Sequence, residues 1–518
     1  MNLPPGRPLV LPFLFTAGLL SLSLYPPVRE NPRLLWSFLG TGAVLFAWNV
    51  ALLVSALGRH RVFTLHIAPR KQHYVQACAH ASILLYWGWY WRPVYESAHL
   101  ILAQLLFAYA FDMLLSCSRR DSYTLGFGLF PIVLSTNLFL WFKEDWFYLQ
   151  VLMIAVGIAA KEFIRWNKDG RQTHIFNPSS FTLTIFSLAL IVTGASDITW
   201  GRDIAITQFY PPHMYLFLFV VALPGQFLFG VTTMTMSAVL TTYLFGLAYF
   251  AATGTYYFFD SYIPIAVFLG MHLLFTDPST APRTEPGRII FGVLYGLCTI
   301  ALYALLGVAG VPTFYDKLLQ VPLLNLSIKG IDRAVRSGPL RRLDPAVIGR
   351  SLSPGRRNLA YMGVWAIVFA GMSAAQGVGD RHRGQWIPFW QQACRQDRAD
   401  ACRYLAQMQT IYCNAGSGWS CNELGILQAG EDTDRREAIT SMQRGCELGF
   451  QPACANVAAL LSGGPPRATG SPPLEELTIL LGGSKGPIAD GNSASLYARA
   501  CDQGWPDSCG QIADPGRR

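Results

Sequence analysis

The stretch 289–310, IIFGVLYGLCTIALYALLGVAG, indicates the class of fold because it contains no charged side chain. Apolar runs of this kind recur along the chain, and each is long enough to cross a hydrocarbon core about 30 Å thick as a helix. In such a core the backbone N–H and C=O groups must be satisfied within helices or closed barrels. The runs are continuous rather than alternating, so the sequence predicts an all-α fold, a bundle of transmembrane helices.

The composition agrees with a membrane protein. Of 518 residues, 52% are hydrophobic and 14% are charged, whereas soluble domains carry about 25% charged residues. The net charge of +9 is expected of basic loops that face anionic lipid, so it does not imply nucleic acid.

Twelve apolar segments are predicted to span a lipid bilayer, with boundaries uncertain by a few residues. They lie at about 9–25, 34–57, 74–91, 94–116, 122–142, 146–165, 179–196, 212–230, 233–253, 260–275, 289–310 and 359–378. The first is predicted to be a retained helix rather than a removed signal peptide, because one Arg precedes it and no small-residue cleavage site follows.

Lys and Arg residues predict the orientation, because they concentrate in the loops after the second, fourth, sixth and tenth spans, and such loops stay cytoplasmic. The stretch 311–358 carries seven arginines and would lie outside, so a weaker thirteenth span is predicted at 312–331. Asp316 and Lys317 would then snorkel near its outer end. The predicted organisation is a bundle at 1–335, a basic cytoplasmic linker at 336–358, a final span at 359–379 and an extracytoplasmic domain at 385–518.

Eight of the eleven cysteines lie in the last 125 residues, in four pairs with seven residues between the members. Free thiols packed between cytosolic helices are one alternative, and zinc is a poorer one because its ligands favour shorter spacings. Disulfide bonds fit the oxidising side of the membrane on which the charges place this domain. The pairs are Cys394 with Cys402, Cys413 with Cys421, Cys446 with Cys454, and Cys501 with Cys509.

The sequence around these pairs resembles Sel1-like repeats of the cysteine-rich kind, relatives of the tetratricopeptide class, over about 385–515. AITSMQRGCELGFQPACANVAALLSGG and SLYARACDQGWPDSCGQIAD both place a Gly turn between two cysteines. The resemblance implies helix pairs stacked into a solenoid, a disulfide between the two helices of each unit, and a protein or peptide partner. The stretch 462–492 reads as a loop or a degenerate repeat.

Two polar stretches border the apolar spans. In HIFNPSSF, 174–181, Asn177 can cap a helix that begins at Pro178, and a plain helix entry at the interface is the alternative. FTDPSTAPRTEPGRIIFG, 275–292, combines hydroxyls, an acid and two arginines beside a helix start. That combination suits an anionic or strongly polar ligand, although a turn with an Asx cap would explain part of it.

These stretches resemble the family that contains the D subunit of Rnf electron-transport complexes and the B subunit of the sodium-pumping NADH:quinone reductase, including its enediyne-cluster branch. The family forms are a Phe-Asn-Pro-Ala entry and a Thr-Asp-Pro loop that ends in Gly-Arg-x-x-x-Gly. The segment 321–332, VPLLNLSIKGID, resembles the Asn-x-x-x-Pro-x-x-Asp end of the family's last helix, without its Pro. The resemblance covers about 70–335 and implies a flavin-bearing subunit, a possible part of a membrane oxidoreductase, that works with other electron-transfer subunits.

The resemblance also implies where the flavin, FMN or riboflavin, would bind. Many family members carry FMN on a Thr in a Ser-Gly-Ala-Thr context, which the loop 194–213 lacks, so a noncovalent flavin is expected. Eight residues are expected to contact the flavin at its ring edge or phosphate, or to close the site around it. These are Thr276, Asp277, Thr280, Arg283, Arg288, His174, Asn177 and Thr207, the last as an echo of the modified Thr.

Two other function classes stay open. One is a transporter of a small solute or ion on the same fold without flavin, for which Asp112 and His272 are candidate path residues. The other is a scaffold in the bacterial inner membrane whose outer repeats recruit a periplasmic partner. The aromatic stretch 86–91, YWGWYW, is predicted to be an interfacial belt, and no catalytic or metal-binding residue is predicted.

Overall fold

The computed structural model of the chain describes residues 9–168, 170–336, 344, 352–430, 435–482 and 493–513. The chain divides into two compact units. The bundle unit comprises Met1–Gln208, Tyr215–Thr242 and Ile265–Ala370, and the C-terminal unit comprises Phe209–Met214, Tyr243–Pro264 and Gly371–Arg518. Two segments that the sequence assigns to the membrane bundle, 209–214 and 243–264, therefore belong to the C-terminal unit.

Helices dominate the chain up to residue 374. They are α1 (Val10–Ser21), α2 (Pro26–Glu30), α3 (Pro32–Gly58), α4 (Lys71–Tyr90), α5 (Pro93–Glu96), α6 (Ala98–Arg119), α7 (Phe130–Asn137), α8 (Phe147–Phe163), α9 (Pro178–Thr193), α10 (Gly201–Thr207), α11 (Met214–Phe229), α12 (Thr232–Thr253), α13 (Ile265–Leu269, continued by a π-helical turn at Gly270–Leu274), α14 (Glu285–Val308), α15 (Gln320–Arg336) and α16 (Pro354–Ala374). The strands are β1 (Thr64–Ile67), β2 (Ser122–Leu125), β3 (Arg165–Lys168) and β4 (Arg171–His174). β1 and β2 pair in parallel, and β3 and β4 form an antiparallel hairpin.

Five helices of the described residues are long and apolar enough to cross a membrane: Pro32–Gly58, Ala98–Arg119, Glu144–Phe163, Thr232–Thr253 and Glu285–Val308. Five shorter apolar helices lie at Val10–Leu24, Phe127–Asn137, Pro178–Thr193, Met214–Phe229 and Ile265–Leu274. The mostly helical, apolar character of the fold is therefore confirmed. The number of crossings and their orientation stay predictions.

Two glycines one turn apart bring α14 directly against α12. A Cβ at Gly292 would overlap the carbonyl oxygen of Met234 and the hydroxyl of Ser237, and a Cβ at Gly296 would lie 3.0 Å from the carbonyl oxygen of Ala238. Small residues at this spacing let helix backbones approach closely, which is a main source of helix association in lipid.

The predicted span at 122–142 is not a continuous helix. Its first residues form β2, α7 has only eight residues, and the backbone leaves the helix after Asn137. Side-chain and backbone donors far along the chain satisfy the freed carbonyls: Gln208 donates its side-chain amide to Leu138, and the Trp200 N–H donates to Trp141 at 2.8 Å. Non-helical backbone at membrane depth is tolerated where protein buries it in this way.

The predicted span at 260–275 is also shortened, to ten residues that begin at Ile265 and end in the π-helical turn. Ten helical residues rise about 15 Å, half of a hydrocarbon core. A Cβ at Gly270 would lie 3.8 Å from the Phe139 ring. The segment that follows α7 thus lies against the π-helical end of α13 inside the bundle unit.

The weaker span predicted at 312–331 is a 3₁₀ turn, Thr313–Tyr315, followed by α15. Asp316 and Lys317 do not snorkel, which corrects the expectation from sequence. Their exposed fractions are 2% and 3%, and the Lys317 ammonium lies 3.4 Å from the Asp316 carboxylate and donates to the Phe314 carbonyl. The packing of the turn against α14, where Tyr295 donates to the Lys317 carbonyl at 3.2 Å, buries both charges together.

The last apolar helix begins earlier than predicted, at Pro354, and ends at Ala374. Most of the predicted basic linker, 337–343 and 345–351, lies outside the described residues.

The C-terminal unit consists of short helices joined by tight turns. They are α17 (Ile387–Arg395), α18 (Ala401–Asn414), α19 (Gly418–Gly430), α20 (Arg435–Glu447), α21 (Gln451–Leu461), α22 (Leu474–Gly482), α23 (Ser493–Asp502) and α24 (Pro506–Ala513). Within the predicted interruption at 462–492, α22 buries Leu477, Leu480 and Leu481 in the core of the unit. That part is helical and packed rather than a loop, while 483–492 lies outside the described residues.

Disulfide bonds join all four predicted cysteine pairs, and each bond connects two consecutive helices. The bonds join Cys394 of α17 to Cys402 of α18, Cys413 of α18 to Cys421 of α19, Cys446 of α20 to Cys454 of α21, and Cys501 of α23 to Cys509 of α24.

The expectation of one bond within each separate two-helix unit needs correction for the first two bonds. The helix α18 carries both Cys402 and Cys413, so it is bonded to the helix before it and, through Cys421, to the helix after it. The helices α17, α18 and α19 therefore form one cross-linked chain. The bond of Cys509, by contrast, joins only the helix pair α23 and α24.

The loop between α12 and α13 contributes to the core of the C-terminal unit. The Tyr256 ring lies 5.0 Å from that of Phe389 and 6.1 Å from that of Trp390. The Tyr404 hydroxyl donates to the Tyr257 carbonyl at 2.6 Å, and the Thr255 hydroxyl donates to the Ala399 carbonyl at 3.1 Å.

Thiol counting tests the cysteine pairing. Protein purified without reductant and then denatured is expected to show three reactive thiols per chain, those of Cys78, Cys117 and Cys298, and eleven after reduction. The variant Cys446→Ser should add one thiol, because it releases Cys454. Eleven thiols before reduction would show that the domain is not bridged.

Candidate functional site

Seven of the eight predicted cofactor-binding residues lie in or directly beside two adjacent loops of the bundle unit, before α9 and before α14, with His174 at the end of β4 and Arg288 in the first turn of α14. We call this set the loop cluster. It consists of His174, Asn177, Thr276, Asp277, Thr280, Arg283 and Arg288. The fold brings it together because the two loops and α15 hydrogen-bond one another, as described next.

Asp277 is the centre of the second loop. Its carboxylate accepts hydrogen bonds from His174 Nε2 at 2.9 Å, from the Ser279 N–H at 3.0 Å and from the Thr280 hydroxyl at 3.2 Å. Burial opposes ionisation of the carboxyl and would raise the pKa of Asp277. The hydrogen bond and charge of His174, together with the hydrogen bonds from Ser279 and Thr280, outweigh burial, so the pKa of Asp277 is lowered. The group is therefore a partly buried carboxylate held by donors from both loops.

Asn177 caps α9 and holds the two loops together. Its side-chain oxygen accepts from the Ser179 and Ser180 N–H groups at 3.0 and 3.2 Å, as expected of an N-cap. Its side-chain amide donates to the Leu274 carbonyl at 2.9 Å. This bond joins the start of α9 directly to the end of the broken helix α13.

Two residues of α15 complete the cluster, and the sequence-based assignment of the site omitted them. The Asn325 side chain accepts from the Asn177 N–H at 3.2 Å and donates to the Thr280 carbonyl at 3.3 Å. Asp332 accepts from the Arg283 N–H at 3.0 Å. Both lie in the quoted segment 321–332, at the Asn and the Asp of the family pattern, so its resemblance to the family's last helix was the available signal.

Arg288 and Thr276 are engaged inside the fold. The Arg288 guanidinium contacts the Glu285 carboxylate at 2.7 Å, which in turn accepts from the Thr233 hydroxyl at 2.8 Å. The Thr276 hydroxyl donates to the His272 carbonyl at 2.9 Å. Their hydrogen-bonding capacity toward a ligand is correspondingly reduced.

Beside the cluster, the β3–β4 hairpin carries two buried polar atoms, Trp166 Nε1 and Thr173 Oγ1, without a hydrogen-bond partner among the described residues. The two residues face each other across the hairpin. The hairpin packs on the second loop, because the Lys168 ammonium donates to the Ala281 carbonyl at 2.7 Å. Lys329 lies 4.5 Å from the centre of the Trp166 ring. A positive charge is therefore close to the unpartnered Trp166 Nε1.

Thr207 is not part of the loop cluster. It is buried in α10, where its hydroxyl accepts from Trp87 Nε1 at 3.1 Å. α10 follows α9, whose 16 residues extend about 24 Å away from Asn177.

The aromatic stretch at 86–91 divides between two environments. Trp89 is exposed, as an interfacial belt requires, whereas Trp87 is buried and stacks on Trp91 with 4.9 Å between ring centroids.

The two candidate path residues lie in different surroundings. His272 is buried in α13's π-helical turn, its Nδ1 bonded to the Phe268 carbonyl at 2.7 Å and its Nε2 without a partner among the described residues. The Gln226 side chain is likewise unpartnered, and both line a cavity of about 10 Å³, the size of one water. Asp112 lies on α6 beside Tyr123.

Comparison of the chain with protein-family models, with curated proteins and with solved structures finds no match.

Proposed function

We propose that this chain is an electron-transport subunit of a bacterial inner membrane that binds a flavin noncovalently at the loop cluster. The observation that carries the proposal is the direct bonding of the two family-like stretches, Asn177 to Leu274 and His174 to Asp277. The sequences that resemble an electron-transfer family are far apart along the chain, and they form one polar site at one end of α9. The basic loops at that end support the prediction that it is cytoplasmic.

The residues fit a flavin in two different roles. Hydrogen bonds of Asp277, Asn177 and Asn325 join the two loops and α15 to one another. These three residues therefore fix the geometry of the loop cluster. Contact with the cofactor then falls to the unpartnered Trp166 Nε1 and Thr173 Oγ1, with positive charge from Arg283, Lys168 and Lys329 to favour a phosphate or a reduced, anionic ring. The flavin would supply the redox chemistry, and the protein supplies position and charge.

The test is the flavin content of purified protein, measured by absorbance and fluorescence before and after denaturation. We expect the flavin to be released on denaturation, and Asp277→Asn to reduce occupancy because the His174 bond that joins the loops loses its charge. Asp121→Asn is the matched control, since the half-exposed Asp121 carboxylate pairs with Arg61 and forms no hydrogen bond to a described residue of the loop cluster. Wild-type protein without flavin, or full occupancy in Asp277→Asn, would refute the proposal.

Transport of a small solute is a second candidate, favoured by the close approach of the segment after α7 to the π-helical end of α13. Helices that stop within the membrane and face each other commonly form solute and ion sites in transporters. Solute flux in liposomes without redox cofactors would support transport. Absence of flux together with flavin-dependent electron transfer would favour the electron-transport function.

For the C-terminal unit we propose a solenoid of Sel1-like repeats on the periplasmic side that binds a protein or peptide. The support is the packed series of short helices and the four bridges. Membrane-impermeant thiol labelling in intact cells tests the sides, with the three free cysteines Cys78, Cys117 and Cys298 replaced, the four bridges kept and one cysteine added at 121 or at 510. Labelling of 510 alone is expected, and equal labelling of both would contradict the arrangement.

A further inference from the structure

A second polar feature lies at the other end of the bundle unit from the loop cluster. It is a cavity of about 560 Å³, within the range of about 300–1,000 Å³ that small-molecule sites occupy. Its lining comes from the start of α6, the segment 137–150 and the turn after α9. We call it the outer cavity, because the charge pattern places this end outside.

Three buried carboxamides form one part of the lining. Asn137 donates to the Gln104 side-chain oxygen at 2.7 Å, Gln150 donates to the same oxygen at 3.2 Å, and Gln104 donates to the Asn137 side-chain oxygen at 3.2 Å. Each amide nitrogen has two N–H donors. Among the described residues, Gln104 and Gln150 therefore each keep one N–H for an acceptor on a ligand.

Aromatic rings form the apolar part of the lining. Trp141, Phe142, Trp146, Phe147 and Trp200 all border the cavity. The faces of such rings, tryptophan above all, attract organic cations at distances up to about 6 Å. Lys143 shows the interaction within the protein itself, with its ammonium 5.5 Å from the centre of the Trp200 ring.

Four carboxylates also line the cavity. Glu96, Glu144 and Asp197 form no ion pair in the part of the chain that the structure describes, whereas the fourth, Asp145, pairs with Arg33 at 3.2 Å. Among the described residues of the lining, Lys143 is the one cationic side chain. The lining therefore carries a net negative charge and disfavours anions.

The broken helix α7 adds to this field. It ends at Asn137, which lines the cavity, and the C-terminal end of a helix carries partial negative charge that favours a cation. A bare metal ion is less suited, because no group of three or more His, Cys, Asp and Glu side chains among the described residues is placed to hold one.

We propose that the outer cavity binds a small organic cation. Its ammonium group lies between the carboxylates and the tryptophan faces, and an oxygen elsewhere in the molecule accepts hydrogen bonds from Gln104 and Gln150. The site is separate from the loop cluster and does not depend on the flavin proposal.

Binding is tested on the full-length protein in detergent with choline and ethanolamine as cationic probes, succinate as the anionic probe and glucose as the neutral one. Calorimetry and thermal unfolding at constant ionic strength measure the affinity. At least one cationic probe is expected to bind saturably and raise Tm, with an affinity that weakens as salt is added, while succinate and glucose do not.

Two variants locate the site. Trp200→Leu should weaken binding of the cationic probe by roughly 2- to 30-fold, the range of a cation–π contact, and Glu144→Gln combined with Asp197→Asn should weaken it and remove its salt dependence. Asp121→Asn should bind as the unchanged protein does. Ligand-free Tm values report whether each variant is folded, and Glu96→Gln replaces any variant that is not.

The proposal is overturned if neither cation binds, if succinate binds as well as they do, or if folded carboxylate variants retain full affinity. Flavin content, measured on the same preparations, reports separately on the loop cluster, so failure of one proposal is distinguishable from failure of the other.

Discussion

Gly292→Ala is expected to lower the free energy of unfolding of the bundle unit by about 3 kcal/mol or more. Overpacking a well-packed interior costs about 1–3 kcal/mol, and this site is at the upper end of that range. The new methyl group would occupy the space of the Met234 carbonyl oxygen and the Ser237 hydroxyl on α12. A carbonyl in a helix cannot rotate away as a flexible side chain can, so α12 and α14 must separate and lose their shared contact. The measurement is Tm and monodisperse yield in detergent.

The matched control is Gly40→Ala in α3, where an added Cβ meets nothing within 4 Å. There the substitution should leave the free energy of unfolding unchanged or raise it by up to about 1 kcal/mol, because Ala restricts the unfolded chain. Equal stability of the two variants would show that α12 and α14 are not in the close contact described.

Lys317→Met is expected to lower the free energy of unfolding by about 3–5 kcal/mol, since it leaves the buried Asp316 carboxylate without its cation. The two side chains are 3.4 Å apart, and both are almost fully buried. Thermal unfolding in detergent is again the measurement, together with the fraction of protein that reaches the membrane.

The double variant Asp316→Leu/Lys317→Met separates pairing from packing. Replacing both charges by apolar groups removes the cost of a buried, unpaired carboxylate, so the double variant should be more stable than Lys317→Met alone. If the double variant is the less stable of the two, the pair does not act as a buried ion pair.

Length and hydropathy predict most of the membrane helices, because a long apolar run has one favourable state in lipid. They do not predict where such a run breaks. The segment after Asn137 is as apolar as a spanning helix, yet its carbonyls at Leu138 and Trp141 are satisfied by Gln208 and Trp200. Those donors are distant in sequence, and no local pattern reports them.

The cysteine spacing predicts which thiols pair, but it does not predict how the bonds distribute over the helices. Cys413 and Cys421 are as far apart in sequence as Cys501 and Cys509. Only the first of these two bonds shares a helix with another bond, because α18 is long enough to carry a cysteine near each end. Helix length, which the spacing does not encode, therefore decides the pattern of cross-links.

The candidate site likewise combines features that the sequence predicts with features that only the fold reveals. The cap at Asn177 is local chemistry and follows from the sequence. The bonds of Asn325 and Asp332 to the loop cluster join positions far apart in the chain, and only the fold reveals them. Thr207 was included through a weak similarity to a modified Thr, and the structure buries it against Trp87 instead.

The contacts of Tyr256, in the connection between α12 and α13, limit where the chain can be truncated. A truncation before residue 385 removes the partners of Tyr256, namely Phe389 and Trp390, and leaves an aromatic surface on the α12–α13 connection facing water. Pro264 is followed directly by α13, so such a truncation also removes the packing partners of the segment that precedes this helix. Loss of activity in a truncated protein would therefore not identify a docking platform. Grafting a foreign repeat after Gly430 is more informative, because it keeps the cross-linked helices α17, α18 and α19 and the bonds of Tyr404 and Ala399 to the α12–α13 connection.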